Sequence, residues 1–211
     1  MTCLIEKKGQ FWYLDLLIAL FVILIVAVLF ARSIVDIVDR EKEIKVLLSE
    51  GIDISNSLMS KGLWAEFPSN LEWCKQSYGR IGFVQNSKII NNNFNAFKTL
   101  VNTPFDPGNP SSGCQNPGGG SNVDGYKKSK ILLGANVDYI IYMQDKDGNI
   151  IGEEYYGKQL TPQPIPVTIG NILSAIDADN RINIFRYVYY DEDGDGKGEI
   201  IRMGISVWKA K

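Results

Sequence analysis

The sequence predicts an α+β protein in which a long N-terminal hydrophobic helix, first transmembrane and then a stalk, is packed by an antiparallel β-sheet head. Three observations predict it. Phe11 to Ala31 is a run of 21 residues with one charge, Asp15, and at ~1.5 Å per residue a helix of that length crosses a ~30 Å hydrocarbon layer. Beyond it, apolar residues recur at three- and four-residue steps among charged ones, which is the pattern of an amphipathic helix. The C-terminal half carries alternating stretches separated by Asp- and Gly-rich turns, as β-hairpins do. Three regions follow: a leader over 1–9, a transmembrane and stalk helix over 10–62, and a head over 63–211.

Lys7 and Lys8 precede the apolar run, and Arg32 is the one cation close behind it before Asp36 and Asp39. This balance places the N-terminus in the cytoplasm and the head outside. The run is longer than the core of a secretory signal and lacks its small-residue cleavage site. A cut between Gly9 and Gln10, in contrast, would remove the charged leader and leave the helix whole.

Ile34, Ile37, Val38, Ile44, Leu48, Ile52 and Met59 form the expected stripe of the stalk, which continues to about Lys61 and makes the whole helix roughly 75 Å long. The head's own sheet is expected to cover this stripe, with neighbouring subunits as the alternative cover. Gly62 stops the helix and Pro68 enforces an extended connection. Gly79 to Val84 and Lys88 to Asn91 read as a small strand pair, and Asn92 or Asn93 as the cap of a short helix carrying Phe94, Phe97 and Leu100. Thr103 to Gly125 is a long surface loop rich in Pro, Gly, Ser and Asn. A helix over Gly125 to Leu133 leads into a hairpin, Val137 to Met143 and Ile150 to Tyr156, around an Asp-Gly turn. Pro162, Pro164 and Pro166 make a stiff connector. Arg181 to Tyr190 and Glu199 to Trp208 form a second hairpin, with Ile184, Arg186, Val188 and Tyr190 on one face and Phe185, Tyr187 and Tyr189 on the other.

Composition excludes several functions. Lys and Arg number 22 against 24 acids, a net charge of −2, and no basic run supplies the electrostatic footprint of a nucleic-acid binder. The chain has no His, which removes imidazole bases, Ser-His and Cys-His nucleophiles and metal-histidine sites. Neither glycine-rich phosphate motif is present, and the sequence predicts no enzyme. Cys3 lies in the leader, whereas Cys74 and Cys114 are an even pair in the head. In an oxidising exterior they are expected to bridge, restricting the unfolded chain by roughly 4 kcal/mol; two free thiols are the alternative. Asp191, Asp193, Asp195 and Glu199, with glycines between them, offer the alternating oxygens that a Ca²⁺ loop uses, but Arg202 stands where an EF-hand needs a bidentate Glu. The competing reading is a soluble hairpin tip built from turn-forming residues. No cofactor is expected apart from that Ca²⁺ reading. Trp64, Trp73 and Trp208 read as core or sheet residues.

Lys7-Lys8-Gly9-Gln10, followed by a hydrophobic helix with an early acid, resembles the class III signal peptide of archaeal type IV pilin-like proteins. The usual pattern sets Gln, Ser and Glu at the first, third and fifth mature positions; here these are Gln10, Trp12 and Leu14, with Asp15 at the sixth. A second resemblance runs from about Ile52 to Gly148. Gly62-Leu63, Arg80-Ile81-Gly82-Phe83, Lys88-Ile89-Ile90-Asn91, Phe97, Tyr126 to Gly134 and Asp138 to Tyr142 are similar to the core of archaeal pilin-like proteins. The resemblance implies a structural subunit or minor pilin of a type IV pilus-like surface filament, assembled through the N-terminal helix, with adhesion as an attendant role. It implies cleavage by a prepilin peptidase between Gly9 and Gln10, and the membrane and other pilin subunits as partners. It gives Asp15 a role in assembly, meeting a free N-terminal amine on Gln10; the other reading keeps Asp15 at the lipid interface within reach of water. The alternative function is a monomeric, membrane-anchored extracellular binding protein with a Ca²⁺-stabilised loop.

Overall fold

The computed structural model describes residues 6–62, 80–109, 112–116, 121–191 and 194–210, with side chains from residue 13 onward. Leu63, Trp64, Pro68, Trp73, Cys74, Gly79 and Asp193 fall outside the described residues. The chain divides into two compact units, Met1–Glu43 and Ile44–Lys211.

The first unit is helix throughout its described length, as part of α1 (Glu6–Leu58). From Tyr13 to Val38 its large apolar side chains are exposed on every side, and α1 is long and apolar enough to cross a membrane. Length and composition of this kind fit a single membrane span or a signal sequence.

The second unit holds the remaining part of α1 and the head. β1 (Val84–Gln85) and β2 (Lys88–Ile89) are joined through Asn86 and Ser87, both at positive φ (52° and 62°) as a two-residue hairpin turn requires. α2 (Asn91–Val101) and α3 (Gly125–Leu133) follow, then β3 (Asp138–Gln144), β4 (Ile150–Gly157), α4 (Ile169–Ala175), β5 (Arg181–Tyr190) and β6 (Glu199–Trp208). The six strands form one sheet in the order β1-β2-β5-β6-β3-β4. The α+β expectation holds, and the sheet is antiparallel in all pairings but one. That one is a short parallel contact in which Lys88 of β2 faces Tyr189 of β5. The β5–β6 hairpin pairs from Arg181 opposite Trp208 to Tyr190 opposite Glu199, the boundaries that alternation predicts.

The inner sheet face carries Tyr139, Ile141 and Met143 of β3, Ile201, Met203, Ile205 and Val207 of β6, and Val188 of β5. Leu47, Ile54 and Leu58 of α1 pack on it together with Phe94, Phe97 and Leu100 of α2. Each of these side chains contributes about 1.5–3 kcal/mol by leaving water. Behind the sheet, Ile140, Tyr142 and Trp208 pack under Leu160, Ile172 and Ile176, so α4 and its approach cover part of the outer face. α4 was not expected from sequence; it has seven residues and one buried apolar side chain, Ile172, with Thr168 accepting a cap hydrogen bond from the Asn171 N–H.

The expected α1 stripe is corrected except at Met59, which packs against the core. In the second unit Ile44, Leu48 and Ile52 are 41%, 44% and 39% exposed, and the face against the sheet is instead Leu47, Gly51, Ile54, Ser55 and Leu58. At 3.6 residues per turn the two sets lie roughly a quarter turn apart. Gly51 eases the contact: a Cβ there would stand 2.8 Å from Ile184 Cδ1 and 3.0 Å from Val207 Cγ2, so a larger residue would require those side chains to shift. Arg186 reinforces this face by donating from Nε to Ser55 Oγ at 2.7 Å.

Two end signals also differ from expectation. α1 ends at Leu58, ahead of Gly62, where distant backbone meets the chain: Phe83 N–H donates to Leu58 O and Val84 N–H to Ser60 O. α2 begins at Asn91 after Ile90, with no side-chain cap. Asn93, expected as a cap, is buried inside the first turn and donates its amide to Lys61 O and Gly82 O. For α3, in contrast, Asp124 accepts from Lys127 N–H and Gly134 closes the helix in the left-handed region.

Candidate functional site

The largest chemically distinct surface is the apolar exterior of α1 in the first unit. Leu16, Leu20, Ile23, Leu29 and Phe30 all stand well out from the helix. The exposed residues far exceed the few-hundred-Å² apolar patches of soluble monomers, so this surface is built for an apolar surrounding. Asp15 is exposed on it. Gly9 and Gln10 lie within the α1 backbone, and their side chains are outside the description.

The acidic hairpin tip is described at residue 191 and from 194 onward. Asp191 is almost fully buried; its Oδ2 accepts from Gly196 N–H at 3.0 Å and faces Lys88 Nζ at 3.4 Å. Burial pushes its carboxyl up, but the Gly196 N–H and the Lys88 ammonium outweigh that and hold it below the usual carboxylate range. Asp195 accepts from Lys197 N–H at 2.8 Å, Glu199 is exposed, and Gly194 and Gly196 sit at φ +71° and +86°, where a side chain would be strained. Among the described residues no group of three Cys, Asp or Glu is arranged to hold a metal ion; Asp193 lies outside them.

Cys114 is buried and disulfide-bonded. It sits in the long loop, which is anchored more firmly than its composition suggests: Cys114 and Val123 exchange backbone hydrogen bonds of 2.7 and 2.8 Å, and the buried Lys128 donates to Gln115 O at 2.7 Å. Cys74 falls outside the described residues.

Two polar arrangements in the head were not singled out from sequence. Asp138, at the start of β3, accepts from Tyr126 Oη at 2.8 Å and pairs with Lys130 at 3.0 Å and Lys158 at 3.1 Å. Burial pushes Asp138 up, and these three partners together hold it below the usual carboxylate range. Tyr139 donates its backbone N–H to Tyr126 Oη, and its own hydroxyl lies 2.6 Å from Ser129 Oγ. Among the described residues the carboxylate's partners come from α3 and from Lys158 just after β4, so the cluster locks both to the start of β3.

The second arrangement lies on the uncovered part of the outer sheet face. Phe185 and Tyr187 of β5 and Ile200 of β6 are 44%, 68% and 68% exposed. Arg202, opposite Tyr187, places its guanidinium carbon 5.0 Å from the Phe185 ring centre and donates from Nε to Gln144 Oε1 at 2.8 Å. The alternation of Phe185, Tyr187 and Tyr189 in the sequence carries the signal for this face.

The chain matches no protein-family model, no curated protein and no solved structure.

Proposed function

We propose that this chain is a structural, non-catalytic subunit of a type IV pilus-like surface filament, inserted in the membrane by α1 and assembled by packing α1 against copies of itself. The observation that carries the reading is the all-round apolar exposure of α1 from Tyr13 to Val38, together with Ile44, Leu48 and Ile52, which the head's own core leaves outside. Lipid covers such a span before assembly, and neighbouring helices cover it afterwards. The basic leader and the Gly9-Gln10 junction support processing by a prepilin peptidase. Retention of the head on the outer side agrees with the charge balance around the span and with a disulfide at Cys114, for which we assign Cys74 as partner.

The test is intact-mass analysis, without reduction, of the protein purified from its native membrane. A chain starting at Gln10 and lighter by two hydrogens than its fully reduced form is expected. A chain starting at Met1 overturns the processing step, and supports the second reading: a monomeric membrane-anchored binding protein, favoured by the exposed aromatic face of the head.

A further inference from the structure

The uncovered outer face of the β5–β6 hairpin is concave where it meets the β3–β4 turn. Asp145, Lys146 and Asp147 of the turn, with Tyr187, Ile200 and Arg202 of the sheet, line a cavity of about 440 Å³, within the range of small-molecule sites, about 300–1,000 Å³. We propose that this cavity and the aromatic residues beside it bind a neutral carbohydrate, a glycan segment of one or two sugar rings. The proposal goes beyond assembly, giving the head a ligand class of its own.

Four observations select that occupant. The two acids and two cations of the lining cancel, which leaves no net charge to draw an anionic or cationic ligand. Tyr187 offers most of its ring to solvent at the cavity wall, while Phe185, two positions before it on the same strand, carries the Arg202 guanidinium over its ring. A pyranose has the matching character: an apolar C–H face to lie on a ring and a rim of hydroxyls for charged hydrogen-bonding groups. Those groups are held in place. Gln144 is fully buried, accepts from Arg202 Nε and donates from its amide to Gly148 O at 2.8 Å, so one side chain fixes the guanidinium relative to the turn. Asp145 is likewise fixed, accepting from the Asp147 and Asn149 N–H groups. Such pre-organisation lowers the entropy lost on binding. A protein partner fits less well, because a stable interface buries about 800 Å² on each side, and this patch offers three exposed apolar side chains, Phe185, Tyr187 and Ile200, around a concavity.

The test uses the full chain in lipid nanodiscs, without sugar-based detergent, and saturation-transfer NMR with neutral hexose and N-acetylhexosamine disaccharides. Saturable binding is expected, weakened about tenfold or more by Tyr187→Ala and also by Arg202→Lys, which keeps the charge but loses the planar fork. Ile165→Ala, at an exposed site outside the cavity, should bind as wild type, and thermal melting confirms that the variants are folded. Absence of saturation below about 10 mM for every disaccharide overturns the proposal, as does equal binding by Tyr187→Ala, or a preference for acidic over neutral sugars. Binding and N-terminal processing are read separately, so failure of one leaves the other standing.

Discussion

Tyr13–Val38 and Leu47–Leu58 belong to one helix and are both rich in aliphatic residues, yet they meet different surroundings. The first stretch exposes every large apolar side chain, while the second hides Leu47, Ile54 and Leu58 and exposes Ile44, Leu48 and Ile52. Apolar content alone does not say whether a helix is a core element. What distinguishes the second stretch is Gly51, which admits the sheet, and the polar groups Ser55 and Glu50, which tie the helix to Arg186 and Asn136.

That contrast breaks most readily by truncation. Leu58→Ala is expected to cost the head about 2–5 kcal/mol, and Leu24→Ala less than about 0.5 kcal/mol, in denaturant melts of the nanodisc-embedded chain followed by near-UV circular dichroism. Comparable losses at both positions would mean that the span is folded into the head's core. Next in size, Gly51→Val should destabilise by about 1–3 kcal/mol through overpacking against Ile184 and Val207; a neutral result would show that the close approach is relaxed in solution.

Smaller is the effect of acid on the Asp138 lock. Its folded carboxyl titrates below the unfolded value, so its stabilisation is present above about pH 4, the ordinary Asp value, and is lost as pH falls further through the folded value. Asp138→Asn should flatten this part of the stability–pH curve, and an unchanged acid slope would remove the lock. Smallest for folding is Leu48→Ala, expected to move head stability by less than about 0.5 kcal/mol while reducing cross-linking between copies in native membranes. Unchanged cross-linking would strike directly at assembly through the exposed stripe.

Sequence alone made the second hairpin legible because Arg181–Tyr190 and Glu199–Trp208 largely keep a period of two and flank one glycine-rich tip. α3 was legible from its placement between a loop and the start of β3. The α1 stripe was not, because periodicity finds every apolar residue on a helix side and gives no weight to glycine, the residue that eases the contact here. Asn93 misled for a related reason: an Asn near a helix start satisfies backbone groups, but in this fold they belong to Lys61 and Gly82, distant in sequence from the helix it was to cap. The Asp138 cluster joins residues from Tyr126 to Lys158, a spacing that no local pattern announces. Phe185 and Tyr187 were placed on the correct face, and their exposure depended on how far α4 extends, an element too short to leave a periodic trace.

The junction where α1 ends bears on mechanics. Leu58 and Ser60 carbonyls are gripped by successive N–H groups of Phe83 and Val84, Asn93 spans Lys61 and Gly82, and a Cβ on Gly82 would lie 2.3 Å from Ser60 O. A tensile load on the last turns of α1 is therefore shared among several contacts within the second unit instead of falling on one.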